Sequence, residues 1–208
     1  MKKKLLILAG GFSREREISL KTARAVFKEI RNIYNTKISE PDGNLIATLR
    51  KFKPDFVFNA LHGRYGEDGY IQSILETEKI KYTHSGVLAS SIAIDKEISK
   101  KIFIKNKILT PKFQKFNFNK DKINQSNIKK LKSIIGFPLV IKPFNEGSSV
   151  EVYICDIKNF KKNLNKLRHY KEVMIEEYIG GREIQVAIMG ERKLGAIELV
   201  PKRKFYDY

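Results

Sequence analysis

The feature that most constrains the fold is the regular alternation of short apolar runs with segments of helical periodicity. Residues 4–9 (KLLILA) are almost wholly apolar, and apolar residues then recur at helical spacing from Ile18 to Ile30. Gly10 and Gly11 separate the two segments. A buried strand, a glycine turn and a helix in this order are a common opening of α/β folds.

The alternation continues and predicts an N-terminal Rossmann-like domain with a mostly parallel sheet. Residues 34–38, 55–61 and 81–83 are predicted strands, and residues 44–52 are a predicted helix. Ligands of such sheets gather at the carboxyl ends of the strands. We therefore expect the glycine-bearing loops at these ends, which contain Gly10-Gly11, His62-Gly63 and residues 83–86, to converge on one edge.

The second half of the chain predicts an α+β domain. Helices are predicted at residues 126–135 and 156–167, and strands at residues 112–116, 139–142, 150–155, 173–179, 183–189 and 194–200. We place the domain boundary before Asp95, which gives an N-terminal domain 1–94 and a central domain 95–208.

The charge excess is concentrated in a lysine-rich stretch. The 208 residues carry a net charge of +18, and residues 96–132 hold twelve Lys and two acids, a net +10. The 41 basic residues are 31 Lys and ten Arg, whereas base readout and bidentate phosphate contacts favour Arg. The pattern therefore favours a solvated lysine face, and a nucleic-acid-binding protein is the least favoured hypothesis.

Cysteine content and hydropathy exclude several classes of protein. A single cysteine, Cys155, leaves no internal disulfide and no thiolate cluster for zinc, and the three histidines are scattered. The apolar run at residues 5–9 is too short for a secretory signal, and no run of eighteen apolar residues occurs. We expect a cytoplasmic protein without a membrane span.

Five segments taken in order indicate a family. They are GGFSREREISL at residues 10–20, ALHGRYGEDG at 60–69, Asp95-Lys96, FPLVIKPFNEGSSV at 137–150 and FYDY at 205–208. Together they resemble the D-alanine–D-alanine ligases, which have the ATP-grasp fold. The resemblance covers the whole chain but only the first two of the family's three domains. It implies a Rossmann-like domain followed by an incomplete ATP-grasp domain, with the C-terminal domain absent.

The loops at the expected sheet edge have a structural and a functional interpretation. Ser13, ahead of a helix with an acidic first turn, is typical of an N-cap, and a lone histidine after a strand is more often a turn residue. The resemblance instead implies that Glu15 is a catalytic residue that binds the amino group of the first D-alanine. It also implies that His62 and Gly63 position this substrate.

Two lysines and a loop are expected to bind ATP phosphates. Lys142 stands out because it ends an apolar run ahead of a proline, and the resemblance implies phosphate contacts for both Lys96 and Lys142. The following loop is small and donor-rich, and it is predicted to fold over the nucleotide through Glu146, Gly147, Ser148 and Ser149.

Two features of this loop concern chemistry directly. The resemblance implies that Ser148 belongs to the active site and hydrogen-bonds towards the glutamate that binds the first D-alanine. Glu151 departs from the family, which usually has glycine at this position. A carboxylate here would oppose phosphate binding unless the side chain points outward.

The segment VMIEEYIGGRE at residues 173–183 is expected to bind the rest of the nucleotide. Strand-end acids are usually solvated. The resemblance implies instead that the adenine and ribose lie against Glu176, Glu177, Ile179 and Glu183, with Glu177 contributing its main chain.

The resemblance implies ATP-dependent ligation of two D-alanines through an acyl phosphate, for peptidoglycan precursor synthesis, with ATP and Mg²⁺. The family's magnesium ligands are expected downstream of residue 208, so no residue here is predicted to bind the metal and the chain is expected to be incomplete for catalysis. An inactive module that binds nucleotide or D-alanine, and another ATP-grasp ligase, remain alternatives. A homodimer through the N-terminal domain and self-association of the isolated chain are also expected.

Overall fold

The computed structural model describes residues 2–147 and 149–200. The elements in chain order are β1 (Lys4–Leu8), α1 (Arg16–Ile30), β2 (Asn35–Ser39), α2 (Leu45–Phe52), β3 (Phe56–Asn59), α3 (Tyr70–Thr77), β4 (Lys81–Tyr82), α4 (Val87–Ile94), α5 (Lys96–Lys105), β5 (Phe113–Asn117), α6 (Gln125–Ile134), β6 (Leu139–Pro143), β7 (Tyr153–Cys155), α7 (Phe160–Lys166), β8 (Glu172–Glu177), β9 (Glu183–Met189) and β10 (Arg192–Leu199). Packing divides the chain into two units, with the boundary between Ile102 and Phe103.

The first unit is built on a parallel sheet of strand order β2-β1-β3-β4, which confirms the predicted α/β class. The central strand β1 is apolar and buried from Leu5 to Leu8 because both of its faces are covered. Leu6 and Leu8 pack into one core cluster with residues of α2 and α3, and Ile7 packs into another with Ala23 of α1. All carboxyl ends of these parallel strands therefore meet at one edge.

The second unit contains an antiparallel sheet of strand order β5-β8-β6-β7, as expected for an α+β domain. One face of the sheet carries Leu139, Ile141, Val173 and Ile175, which are buried against α6 and α7. Since side chains alternate along a strand, the other face carries Lys142 of β6 and, on β8, Met174 and Glu176. β9 and β10 form a separate antiparallel hairpin whose side chains are exposed.

Several element bounds differ from the predictions for local reasons. β7 begins at Tyr153 rather than at residue 150, because Ser149 and Glu151 have φ angles of 59° and 54° that interrupt an extended backbone. α7 begins at Phe160 rather than at residue 156, because Asp156 Oδ1 accepts the N–H groups of Lys158 and Asn159 in a preceding turn. Among the described residues, no helix combines the length and hydropathy needed to cross a membrane.

Candidate functional site

Two of the loops at the edge of the parallel sheet are joined by one buried hydroxyl group. Ser19 Oγ accepts the N–H of Gly10, after β1, at 2.8 Å, and donates to the carbonyl of Ala60, after β3, at 2.7 Å. His84, after β4, places its Nε2 2.7 Å from the carbonyl oxygen of Asn59. The three loops therefore converge, as the sequence predicted.

Glu15 lies at this edge and is nearly buried, with 8% of its surface exposed. A Cβ atom on Gly63 would lie 3.0 Å from Glu15 Oε2, and the φ of Gly63 is +63°, so a side chain at this position would be both strained and crowded. Ser13 Oγ accepts the N–H of Glu15, the residue just ahead of the helix that begins at Arg16. A capping hydroxyl would instead accept an N–H from the first turn of the helix, so Ser13 is not the N-cap. The structure thus brings Glu15 and Gly63 together.

His62 lies between a hydroxyl group and a carboxylate. Its Nε2 is 3.4 Å from Thr22 Oγ1, and its Nδ1 is 3.7 Å from Glu67 Oε1. The Glu67 carboxylate facing its ring raises the pKa of His62, while partial burial opposes this shift. Glu15 adds a smaller attraction of the same sign.

Glu67 is the residue of this cluster to which the sequence assigned no role. Its Oε2 accepts the N–H of Gly63 at 2.9 Å, so it fixes the loop backbone as well as facing His62. Burial acts to raise the pKa of the Glu67 carboxyl, but the ring of His62 and the N–H of Gly63 outweigh this and lower it. The sequence signal for this contact was an acid close to His62 within a glycine-rich loop. An acid that simply precedes a helix gives the same pattern, so the signal did not identify Glu67.

The cluster borders a cavity of about 270 Å³. Its lining includes His62, Glu67, His84 and Ser90. The two carboxylates Glu15 and Glu67 and the imidazole of His62 provide partners for an ammonium group and for a carboxylate, which are the two charged groups of an amino acid.

In the second unit, Lys142 and Glu176 form an ion pair between β6 and β8. They lie on the same face of the sheet, in diagonal positions, since Val140 pairs with Glu176 and Lys142 pairs with Met174. The side chains are 21% and 8% exposed. The structure therefore brings together two residues predicted to bind different parts of a nucleotide.

The β6–β7 loop carries the predicted phosphate-binding residues. Glu146, Gly147 and Ser149 are half-buried, and Ser148 lies outside the described residues. The Oε1 atom of Glu146 is 3.5 Å from the hydroxyl of Tyr170. Glu151 points towards the same hydroxyl, which donates to its Oε2 at 2.5 Å.

The remaining predicted residues lie on different elements of the chain. Lys96 is the first residue of α5, in the first unit, and is half-buried. At the end of β8, Glu177 donates its N–H to the carbonyl of Lys112 at 2.9 Å. Ile179 is 61% exposed, and Glu183 is the first residue of the exposed hairpin. The segment at residues 205–208 lies outside the described residues, and within the described ones no group of three or more His, Cys, Asp or Glu side chains could hold a metal ion.

Comparisons with known proteins give one consistent result. The family model "D-ala D-ala ligase C-terminus" matches residues 102–208, and "D-ala D-ala ligase N-terminus" matches residues 34–85. The D-alanine–D-alanine ligase of Pelagibacter ubique is 66% identical, with 100% of this chain and 68% of that protein covered. This chain therefore spans about two thirds of the relative's length.

Solved structures agree with this similarity. The crystal structure of D-alanine–D-alanine ligase from Bacillus anthracis matches with a TM-score of 0.83 and 34% identity, over 99% of this chain and 67% of that one. A second structure from B. anthracis, complexed with ATP, matches with a TM-score of 0.77 and 32% identity, over 98% and 68%.

Proposed function

Since the chain belongs to the D-alanine–D-alanine ligase family, we propose that it takes part in the ATP-dependent ligation of two D-alanines to D-alanyl-D-alanine, for peptidoglycan precursor synthesis. The observation that carries the proposal is the convergence of Glu15, His62 and Gly63 at one edge of the parallel sheet. The chain covers 68% of the Pelagibacter ubique ligase, so the activity of a whole ligase is part of the proposal.

In this proposal the first D-alanine binds at the sheet edge. The Glu15 carboxylate accepts the substrate ammonium, and the His62 ring, whose protonated form Glu67 favours, attracts the substrate carboxylate. Gly63 leaves room for a small substrate beside Glu15, because its missing side chain would lie against that carboxylate. Ser148 is proposed as a catalytic partner of Glu15.

The nucleotide is proposed to bind along the second unit, with a phosphate contact from Lys96 as well. Lys142 has three N–H donors, so it can keep its ion pair with Glu176 and still donate to a phosphate oxygen. The β6–β7 loop is proposed to donate hydrogen bonds to the phosphates through backbone N–H groups and serine hydroxyls, from Glu146, Gly147, Ser148 and Ser149. The adenine and ribose are assigned to the main chain of Glu177 and to Glu176, Ile179 and Glu183.

The proposed reaction transfers the γ-phosphoryl group of ATP to the first substrate's carboxylate and releases ADP. The amine of the second D-alanine then attacks the acyl phosphate, forms the peptide bond and displaces phosphate. The protein's part in such a reaction is positioning and neutralisation of charge, which the carboxylates and lysines named above would supply. Magnesium, when bound, would neutralise phosphate charge. The described residues hold no group of three ligands for it, so none of them is proposed as a magnesium ligand.

The proposal extends to the setting of the protein. A cytoplasmic location fits ATP as substrate and the single, buried, free thiol of Cys155. The proposal also includes a homodimer through the N-terminal domain. It places the functional domains at residues 1–94 and 95–208.

A second candidate function is an inactive module that binds nucleotide or D-alanine, which is favoured by the absence of a metal-binding group among the described residues. Phosphate release from ATP separates the two candidates. If this chain catalyses the ligation by itself, release requires D-alanine rather than L-alanine and falls about a hundredfold in Glu15→Gln. Glu17→Gln, which changes an exposed carboxylate two residues further along the chain, is the matched control and is expected to keep full release. Nucleotide binding without release would favour the inactive module.

A further inference from the structure

The β6–β7 loop contains a conformation that is unfavourable for its residues. Glu151 has a φ of 54° and Ser149 a φ of 59°, in the left-handed region that favours glycine. The loop nevertheless forms two successive turns, in which Val150 N–H donates to Gly147 O at 2.9 Å and Val152 N–H to Ser149 O at 3.3 Å. A side chain at position 151 must therefore contribute something that glycine would not.

The Glu151 carboxylate is held by the turn between α7 and β8. Tyr170 donates its hydroxyl to Glu151 Oε2 at 2.5 Å, and His169 Nε2 lies 3.2 Å from the same oxygen. The Glu151 side chain is 21% exposed. Its charge thus lies beside a hydroxyl donor and an imidazole instead of standing free in the loop.

Tyr170, the partner of Glu151, is partly buried and packs against the core of the second unit. The ring of Tyr170 packs against the apolar cluster that contains Leu164 and Val173, and its N–H donates to Leu167 O at 2.9 Å. Pro143, at the end of β6, pairs with Val173, at the start of β8. The loop after β6 and the turn before β8 therefore emerge at the same end of the sheet, where the contact can join them.

We propose that Glu151, through Tyr170, is a positioning residue that fixes the β6–β7 loop to the sheet for nucleotide binding. The inference rests on the proposed function, since it concerns the loop that would bind ATP phosphates. The hydrogen bond keeps the backbone in the left-handed turn and holds the carboxylate against the sheet. Loss of the bond leaves the loop to be ordered by the nucleotide, which weakens binding.

The alternative is that Glu151 acts only through its negative charge. In that case both Glu151→Ala and Glu151→Gln would tighten ATP binding, because each removes repulsion of the phosphates. The anchoring role instead predicts weaker binding by Glu151→Ala and nearly unchanged binding by Glu151→Gln, since glutamine retains an oxygen that can accept from Tyr170.

The test measures the Kd for ATP by calorimetry, together with the unfolding midpoint of each variant. Tyr170→Phe and Glu151→Ala are expected to weaken binding about tenfold each, as for loss of a hydrogen bond to a charged group. The double variant is expected to bind about as weakly as the weaker single variant, because both changes remove the same Tyr170–Glu151 hydrogen bond. Glu151→Gln is expected to stay within about twofold of the parent.

Matched controls separate anchoring from general effects. Tyr34→Phe, in the first unit, and Glu191→Ala, in the β9–β10 turn, are expected to leave the Kd for ATP unchanged. An unchanged Kd in Tyr170→Phe would overturn the inference, even if the unfolding midpoint fell. So would tighter binding by both Glu151 variants.

Failure of the proposed function is distinguishable from failure of the anchor. A parent chain that binds no ATP contradicts the proposed function. Hydrogen exchange of the Val150 and Val152 amides then tests, without a ligand, whether the Glu151–Tyr170 contact orders the loop. Faster exchange in Tyr170→Phe and Glu151→Ala than in the two controls supports it, and equal exchange overturns it.

Discussion

At the scale of single residues, the most informative pair is His62 and Glu67. Each changes the titration of the other: the carboxylate raises the pKa of the imidazole, and the imidazole helps to lower the pKa of a carboxyl that burial alone would raise. The raised pKa favours the protonated form of the His62 imidazole, and this group lies at the sheet edge where the substrate carboxylate is proposed to bind.

This pair predicts a pH dependence of stability. His62, whose pKa is raised, stabilises the folded state fully below its ordinary value of 6.5, and this contribution is lost as the pH rises through the raised pKa. Glu67, whose pKa is lowered, contributes fully above its ordinary value of 4.5 and loses this as the pH falls through the lowered pKa. The stability difference between the parent and Glu67→Gln is therefore largest between these two values.

Urea unfolding across the pH range measures this difference. The two side chains are 30% and 50% exposed, so solvent screening keeps the effect small. Glu191→Gln, in the exposed hairpin turn, serves as control. A difference that rises steadily with pH, without a maximum, would contradict the assigned pair.

At the scale of elements, the loop between β3 and α3 is held by Gly66. Its carbonyl accepts Asn59 Nδ2 of β3 and Gln72 Nε2 of α3, each at 2.8 Å, so one peptide group joins the strand to the helix. A Cβ atom on Gly66 would lie 2.4 Å from Leu61 Cβ and 2.9 Å from the carbonyl carbon of Leu61. The backbone on which His62 and Gly63 are mounted therefore requires glycine here for steric reasons.

Gly66→Ala is expected to lower the free energy of unfolding by about 2–3 kcal/mol, since either the loop or Leu61 must move. Chemical denaturation measures the change. Gly43→Ala is the matched control, because a Cβ atom at that position meets nothing within 4 Å. Equal stability of the two variants would show that the loop accommodates the methyl group.

The elements themselves were largely predictable. Residues 4–9 identify β1 because a strand covered on both faces is continuously apolar. α4 was not predicted, since its small and apolar residues, VLASSIAI, have no polar face to reveal a helical period. The short β7 was extended too far because positive φ angles at Ser149 and Glu151 have no signature in non-glycine residues.

At the scale of the whole molecule, the sequence predicted the fold class and family membership, and the site only in part. The topology alone brings the loops of Glu15 and His62 to one edge, because parallel strands share their carboxyl ends. The contacts of Glu67 with His62 and of Glu151 with Tyr170 depend on side-chain directions, so a linear pattern does not reveal them. The Lys142–Glu176 pair required the strand register, which the sequence does not specify.

The most direct test of the central claim is the Kd for ATP of the parent chain beside Lys142→Met, which keeps the aliphatic stem and removes the charge. Lys158→Met, an exposed lysine of the same unit, is the control. Circular dichroism melts establish that each variant is folded, since Lys142→Met removes the ion pair with the buried Glu176 carboxylate. The account predicts that the parent and Lys158→Met bind ATP equally and that Lys142→Met binds at least about tenfold more weakly. A parent that binds no ATP, or a folded Lys142→Met that binds as tightly as the parent, would contradict it.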